Sequence, residues 1–391
     1  MEIVNLKNIA IIGSGQGAPQ GSSSYCDDGI PFIKAGSLES LLQTNDEYIS
    51  CLKVNSKIAK QHKLKLYPKN TIVFAKSGMS AMKGRVYRLS TPSYVVNHLA
   101  TIEPSEKIIP QYLKYYFQNF SPASLIKDRA YPSIRLSDIS IIQISLPSLE
   151  EQKRIIKELD QADELRKKRK QSVALLDEHL KSVFLEMFGD PISNPKKWEI
   201  LPFFDLCERL SDGPFGSKLK TEHYANSGIQ VIRLSNIGIG KFKGGNKVFV
   251  KNSHYKNELT HYTCYSGDVV IATLGEPNIR ACIIPKDIEK AVHKADCIHC
   301  IPKKNLSKKY IVMLLNLPVF HHSFSNMIHG QTRSRVSSGQ LRKTPIPVPP
   351  IELQNQFAEI VQKTEQLKQS MLSQSEELDT NFNALMQGAF T

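Results

Sequence analysis

The sequence predicts a duplicated module: a globular unit of strands and short helices, then a long helix, then a second unit and a second long helix. The two long helices are expected to pair antiparallel and give the chain a pseudo-twofold axis. Three observations predict this. Segments recur about 200 residues apart, two stretches carry a sustained heptad rhythm, and the 391-residue length allows more than one core.

The recurrences are distributed along the chain. "GIPFIKAGSL" (Gly29–Leu38) matches "GIQVIRLSNI" (Gly228–Ile237), and "YPKNTIVFAKSG" (Tyr67–Gly78) matches "YSGDVVIATLG" (Tyr265–Gly275) with one gap. "HLATIEP" (His98–Pro104) and "DCIHCIP" (Asp296–Pro302) are apolar strands ended by proline, each followed by a helical pattern. "SIRLSDISIIQISLPSLEEQKRI" (Ser133–Ile155) matches "RVSSGQLRKTPIPVPPIELQNQF" (Arg335–Phe357). A period this long is a duplicated domain, not a solenoid. The boundaries expected are a first globular domain at 1–146, a helix at 147–188, a second domain at 189–347 and a C-terminal helix at 348–391.

Ser148 and Glu151 spell a capping box before the first helix, and Gly189 sits just past its end. Inside it, Ile155, Leu159, Ala162, Arg166, Arg169, Val173, Leu176, Leu180, Val183 and Met187 follow alternating steps of four and three. The same positions in the second helix are Phe357, Val361, Thr364, Lys368, Met371, Ser375, Leu378, Phe382, Leu385 and Ala389. Both seams are apolar at the ends and polar in the middle. A helix of ~38 residues is ~57 Å long and must bury its apolar stripe against something. Pairing of the two helices would hold the globular units a fixed distance apart.

Composition narrows the function. Lys and Arg number 51 against 37 Asp and Glu, a net charge of +14, which points to a polyanionic partner such as nucleic acid. The start, "MEIVNLK", has no signal-peptide pattern, and no apolar run approaches the ~20 residues that span a bilayer. A cytoplasmic location is expected. The seven cysteines are scattered, as in a reducing compartment. One pair, Cys297 and Cys300, has C-x-x-C spacing. It lies in a strand pattern, where side chains three apart point to opposite faces, so a shared metal is not expected.

"IAIIGSGQGAPQGSSSY" spells the glycine turn of a dinucleotide or S-adenosylmethionine site. That turn must open a helix. Here Pro19, Gly21 and the serines Ser22–Ser24 follow, which break one, so the stretch reads as a loop.

Two basic heads on a stiff spacer suit duplex DNA, which presents the same groove face again after about one turn, ~34 Å. The first head offers Ser14 and Gln16 in the glycine loop, Lys76, Lys83 and Arg85 in "AKSGMSAMKGR", and Lys127, Arg129, Tyr131 and Arg135 in "KDRAYPSIR". The second offers Ser217, Lys218 and Lys220 in "SDGPFGSKLK", Arg233 and Asn236 in "VIRLSNI", and Gln331, Arg333 and Arg335 in "GQTRSRVSSGQLRK". Arginine pairs two bonds with guanine and Gln or Asn with adenine, whereas lysine holds phosphate without reading sequence. The heads differ, so their half-sites should differ. The run Arg166–Gln171 has the charge to meet phosphates between half-sites, but by the general rule for charge runs it reads first as a solvated helix face.

"DGPFGSKLKTEHYANSGIQVIRLSNI" (Asp212–Ile237), the opening "GSGQGAPQGSSSYCDDGIPFIKAGSL", and the phrases "LPSLEEQKRI" and "VPPIELQNQF" together resemble the DNA-specificity (S) subunits of Type I restriction-modification systems. One departure is Leu353, where a second Glu is usual. The resemblance implies two target-recognition domains of α/β (α+β) fold separated by a long antiparallel two-helix coiled coil. It implies double-stranded DNA as partner, with two methyltransferase (M) subunits and restriction/translocase (R) subunits. It also implies a bipartite site read one half per domain. No cofactor is expected in this chain, since S-adenosylmethionine, ATP and Mg would be bound by the partner subunits.

The rival readings are a stand-alone methyltransferase or nuclease and a protein-binding scaffold. An amino-methyltransferase needs an Asn/Asp-Pro-Pro-aromatic loop, and "DPIS" at Asp190 lacks it. A nuclease needs clustered carboxylates. Glu151-x-Lys153 with Asp138 mimics them, but Glu151 belongs to a helix cap. A scaffold leaves the basic loops unexplained. A non-catalytic DNA reader is therefore expected.

Overall fold

A strand such as Ile72–Ala75, with four apolar residues in a row, has no solvent face, and both its sides must be covered. The computed structural model, which describes residues 2–215, 218–325 and 335–390, does this with two sheets and a helix in each of two compact units. One unit comprises Met1–Lys170 with Ser373–Thr391, the other Gln171–Leu372.

In the first unit, β1 (Glu2–Asn5) pairs antiparallel with β10 (Gln143–Leu146), tying the two ends of the globular part together. β2 (Ala10–Ser14), β9 (Leu99–Pro104), β6 (Ile72–Ala75) and β7 (Val86–Arg88) form an antiparallel sheet in that order. A second sheet has the order β4 (Leu52–Val54), β3 (Ile30–Ile33), β8 (Ser93–Val95), β5 (Leu66–Tyr67), with β3 and β8 parallel. Helices α1 (Leu38–Thr44), α2 (Glu47–Ser50) and α3 (Ser56–Gln61) flank β4 in sequence. The β6 side chains alternate: Ile72 and Phe74 enter the core under helix α4 (Pro110–Phe120), while Val73 and Ala75 enter the core of the second sheet.

The short helix α5 (Leu136–Ser140) precedes β10, and the long helix α6 (Leu149–Phe188) follows it. Ser148 Oγ accepts the Glu151 N–H at 3.3 Å, the first half of the expected capping box. The second half is absent. The Glu151 carboxylate turns forward to Arg154, at 2.6 and 2.9 Å, because a two-pronged charged bond outcompetes one exposed amide. At the far end Gly189 takes φ +78°, the left-handed stop expected of it.

The first unit is closed by the last helix of the chain (Ile351–Phe390). Its Phe382 and Met386 join Ile155 and Leu159 of α6 and Tyr112, Tyr115 and Tyr116 of α4 in one core. The Tyr112 ring lies 5.1 Å from that of Phe390. Arg166 donates to Asp379 at 2.6 Å and covers the Phe382 ring at 4.2 Å. The helices therefore run antiparallel here. Leu385, expected on the seam, is 43% exposed, and Met386 is buried at 4% in its place. The step after Phe382 is four residues, not three, as a straight helix of 3.6 residues per turn drifts off a strict heptad.

The second unit repeats the order. β11 (Glu199–Pro202) pairs with β21 (Pro345–Val348). One sheet runs β12 (Cys207–Ser211), β20 (Cys297–Pro302), β17 (Val269–Ala272), β18 (Arg280–Ile283). The other runs β13 (Tyr224–Ala225), β15 (Phe249–Val250), β14 (Ile229–Ile232), β19 (Lys290–His293), β16 (Thr263–Tyr265), with β14 and β19 parallel. The helices are α7 (Asn252–His254), α8 (Lys308–Leu315), α9 (Pro318–Ser325), α10 (Ser338–Lys343) and α11, the last helix. Cys297 and Cys300 fall in different cores on opposite faces of β20, as their spacing predicts.

Here the second half of α6 meets the first half of α11. Leu180, Phe184 and Phe188 share a core with Phe357, Val361 and Tyr310, and the Phe184 and Phe357 rings are 5.4 Å apart. Phe184 and Phe188 were not on the expected seam; they face the sheet-and-helix core, which a heptad count does not register. Leu353, the departure from the usual Glu, packs against the same core. The polar middle of the seam is now explained. Lys368 lies 2.5 Å from the carboxylate of Asp177, and these residues are 202 positions from Arg166 and Asp379. Each unit thus holds the same cross-helix ion pair, with the helices' roles exchanged. Ala162, Val173, Leu176, Val183, Met371 and Leu378 are half-buried along the remaining seam.

A feature that sequence reading missed is the glutamine at the start of each long helix. Gln152 accepts from Ile109 N–H at 2.8 Å and donates to the carbonyls of Lys107 and Pro147. Gln354 accepts from Ser307 N–H at 2.8 Å and donates to those of Asn305 and Pro349. Both are fully buried. Each joins the long helix to the turn before α4 or α8 and so fixes the sheet on its helix. Gln152→Leu or Gln354→Leu would strand one buried carbonyl and two part-buried backbone groups, the buried one costing about 1–3 kcal/mol and the others less. Urea unfolding should register a loss of roughly 3 kcal/mol for either variant, while exposed Gln356→Leu should stay within about 0.5 kcal/mol of the parent.

Candidate nucleic-acid interface

In each unit the polar loops gather where the two sheets cross. In the first, the Gly15 N–H reaches the Leu99 carbonyl at 3.3 Å, and the Gln16 N–H reaches that of Val95 at 2.9 Å. A Cβ on Gly15 would lie 1.9 Å from the Val95 oxygen. In the second unit a Cβ on Gly213 would lie 2.2 Å from the Lys294 oxygen. The glycine motif is thus a crossing point of two backbones. No cofactor-type helix opens after it, only a single 3-10 turn at Ser22–Ser24.

Around the first crossing, Lys76 donates its N–H to the His98 carbonyl and accepts from Ile134 N–H at 2.7 Å. Gly78 N–H bonds the Pro132 carbonyl, and Ser77 Oγ lies 2.7 Å from His98 Nδ1. These bonds stitch the 127–135 loop to the end of β6. They set Tyr131 and Arg135, which flank the stitched residues, beside Lys76, with Tyr131 83% exposed; Lys127 and Arg129 are exposed earlier in the same loop. Lys83 is exposed on the following turn. Arg85 pairs with Glu39 at 2.9 Å and Lys127 with Asp138 at 3.4 Å. Arg85 is half-buried and Lys127 exposed, and pairs this open to water are worth little. Ser14 is half-buried, its carbonyl accepting from the Tyr67 hydroxyl.

The second rim has the same plan. Arg335 lies opposite Leu274 in a β-bridge, Val336 N–H bonds the Thr273 carbonyl, and the Arg335 guanidinium pairs with Asp296 at 2.7 Å. Lys218 and Lys220 are exposed, Lys220 lying 3.6 Å from Glu222. Ser217, Gln331 and Arg333 lie outside the described residues. At the other end of β17 lies a buried polar layer. Burial pushes the Asp268 carboxyl up, but His299 at 2.9 Å, the Tyr265 N–H and Lys308 outweigh it and hold it below the usual range. His293, desolvated and facing His299, is pushed down to about 4.

Two expected base readers are committed internally. The Gln16 amide accepts from Lys65 N–H at 3.0 Å and donates to the Tyr67 hydroxyl. Asn236 is 2% exposed, and its amide holds the carbonyls of Lys243 and Gly244 while accepting from Arg233 N–H. Arg233 itself donates to the Asn246 carbonyl at 2.7 Å. Asn and Gln beside a strand end are as apt to close their own loop as to meet a base. His98 is a rim residue that sequence reading missed; its only signal was its place at the start of the repeated strand.

The crossings make a sharp expectation. Gly15→Ala and Gly213→Ala should each destabilise by about 3 kcal/mol or more in thermal unfolding, because backbone must move to admit a methyl group. Gly17→Ala, with nothing within 4 Å of the added Cβ, should change stability by no more than about 0.5 kcal/mol.

Among the described residues, no group of three or more His, Cys, Asp or Glu side chains is placed to hold a metal, and no helix is long and apolar enough to cross a membrane. The family described as the Type I restriction modification DNA specificity domain matches residues 1–175 and 195–378. The Type I restriction enzyme MjaVIII specificity subunit of Methanocaldococcus jannaschii is 22% identical over 330 residues, covering 79% of this chain and 76% of the relative. Two solved structures share the fold. A chain from work on complex assembly and conformational transition of the type I R-M system aligns with a TM-score of 0.63 at 16% identity, over 100% of this chain and 97% of that one. The S subunit of the Type-I restriction-modification system from M. genitalium aligns at 0.53 and 14%, over 100% and 96%. The duplicated α/β units and the paired helices are therefore those of a chain that belongs to the Type I restriction-modification DNA-specificity family and serves such a complex by recognising DNA sequence.

Proposed function

We propose that this chain reads a bipartite, asymmetric DNA site, with one half-site recognised by residues 1–146 and the other by residues 189–347. The paired helices, 147–188 and 348–391, act as the spacer that sets the distance between half-sites. The observation that carries this is the repetition of one rim plan with unlike side chains. Both units stitch a polar loop to the end of the strand after the crossing, yet that loop carries Arg129, Tyr131 and Arg135 in one unit and Arg335 in the other, where exposed Lys218 and Lys220 follow the Gly213 crossing in sequence. An equal frame with unequal side chains reads unequal sequences.

The chain does no chemistry in this reading. Two methyltransferase subunits would supply S-adenosylmethionine-dependent methylation, and restriction subunits the ATP- and Mg-dependent steps, in the cytoplasm of a prokaryotic cell. The exposed outer faces of the helices are free for such subunits. Leu165 and Leu175 stand exposed there among charged residues.

Mapping methylated bases tests the reading in two ways. Replacing residues 1–146 by the equivalent part of another member should change one half-site and leave the other intact; a change in both would contradict it. Removing seven residues from each helix shortens the spacer by about 10 Å, or about three base pairs. An unchanged spacing would exclude the helices as the ruler.

A further inference from the structure

The loop "GIGKFKGGNK", Gly238–Lys247, carries three lysines and no acidic residue, and the rim described above leaves it unused. Its three lysines, Lys241, Lys243 and Lys247, are exposed. A glycine-rich loop of this kind would ordinarily be loose. This one is pinned at every few residues. Gly240 N–H bonds the Ala281 carbonyl at 3.0 Å, and Lys243 N–H bonds that of Asn236 at 2.6 Å. The buried Asn236 amide holds the carbonyls of Lys243 and Gly244, and the Arg233 guanidinium holds that of Asn246. Phe242 pairs in a β-bridge with Ile237 and packs on the core of Ile232, Cys264 and Val270. Lys241 and Lys243 therefore point outward on either side of an inward phenylalanine.

The loop also has the right address. It springs from the end of β14, whose Ile232 carbonyl accepts from Lys294 N–H. The Lys294 carbonyl meets Gly213 at the crossing, and Asp296, two residues on, pairs with Arg335. In the first unit the chain leaving β3 enters α1 instead, with no loop of this kind.

We propose that Gly238–Lys247 is a preorganised phosphate clamp on the DNA held by the second unit, with Lys241, Lys243 and Lys247 meeting successive phosphates and Asn236 as the positioning residue. This rests on the reading that the second unit faces DNA. Lysine on a fixed loop gives contacts without base identity, so the clamp sets the register of the duplex against the rim. It also makes the two units unequal in affinity: the second grips, and the first lacks this grip.

The test is the salt dependence of binding to a random-sequence duplex, measured by fluorescence anisotropy on the full chain between about 50 and 200 mM salt. Replacing Lys241, Lys243 and Lys247 together by Ala touches only exposed side chains and should leave thermal unfolding unchanged. The slope of log affinity against log salt should become shallower by about 2–3, because each phosphate contact contributes about 0.9. Asn236→Ala should weaken binding several-fold while keeping most of the slope, since the charges remain and only their placement is lost. A steep wild-type slope that the triple variant leaves unchanged would overturn the clamp and leave the wider reading standing. A flat wild-type slope would overturn both.

Discussion

A half-apolar helix of 40 residues has no stable existence alone, and in this chain the partner of each lies about 200 residues away. That constraint organises the rest. The first unit cannot complete its core with its own residues 1–170, since Ile155, Leu159 and the tyrosines of α4 are covered by Phe382 and Met386 from the other end of the chain. In the second unit Phe184 and Phe188 are covered by Phe357 and Val361. The ion pairs Arg166–Asp379 and Asp177–Lys368 fix direction and register. Arg166 and Lys368 are half-buried on the seam, and a parallel or slipped arrangement would leave these charges facing apolar or like-charged neighbours.

From this frame the route to recognition is short. Gln152 and Gln354 hold the sheets to the helices, and the strands deliver Gly15 and Gly213 to the crossings. The crossings place the rims. Every one of these devices is repeated between the units, whereas the side chains on the rims are not. On the proposed reading, the fold keeps what positions a reader and varies what reads.

The sequence made the frame legible because the frame is periodic. A repeat near 200 residues, a heptad rhythm and a strand period of two each exceed chance over many positions, and Cys297 and Cys300 fall on opposite faces as a strand requires. What escaped was set by single tertiary contacts. Gln152 looks like any polar residue in a helix's first turn, and Glu151 looked committed to a cap until Arg154 offered a better bond. Met386 displaced Leu385 because real helices drift off the heptad. The rim was legible as composition but not as geometry. Gln16 and Asn236 have the right chemistry for adenine, and only the fold shows their amides already bonded, Gln16 to Lys65 and Tyr67 and Asn236 within its own loop.

The central claim is that the last helix completes the first unit. Hydrogen exchange on a chain ending at Leu372 tests it most directly. With Ser373–Thr391 removed, the amides of α4 and of Ile155–Ala162 should lose protection, while β17 and β20 of the second unit should keep theirs. Unchanged protection in α4 and the start of α6 would contradict the account.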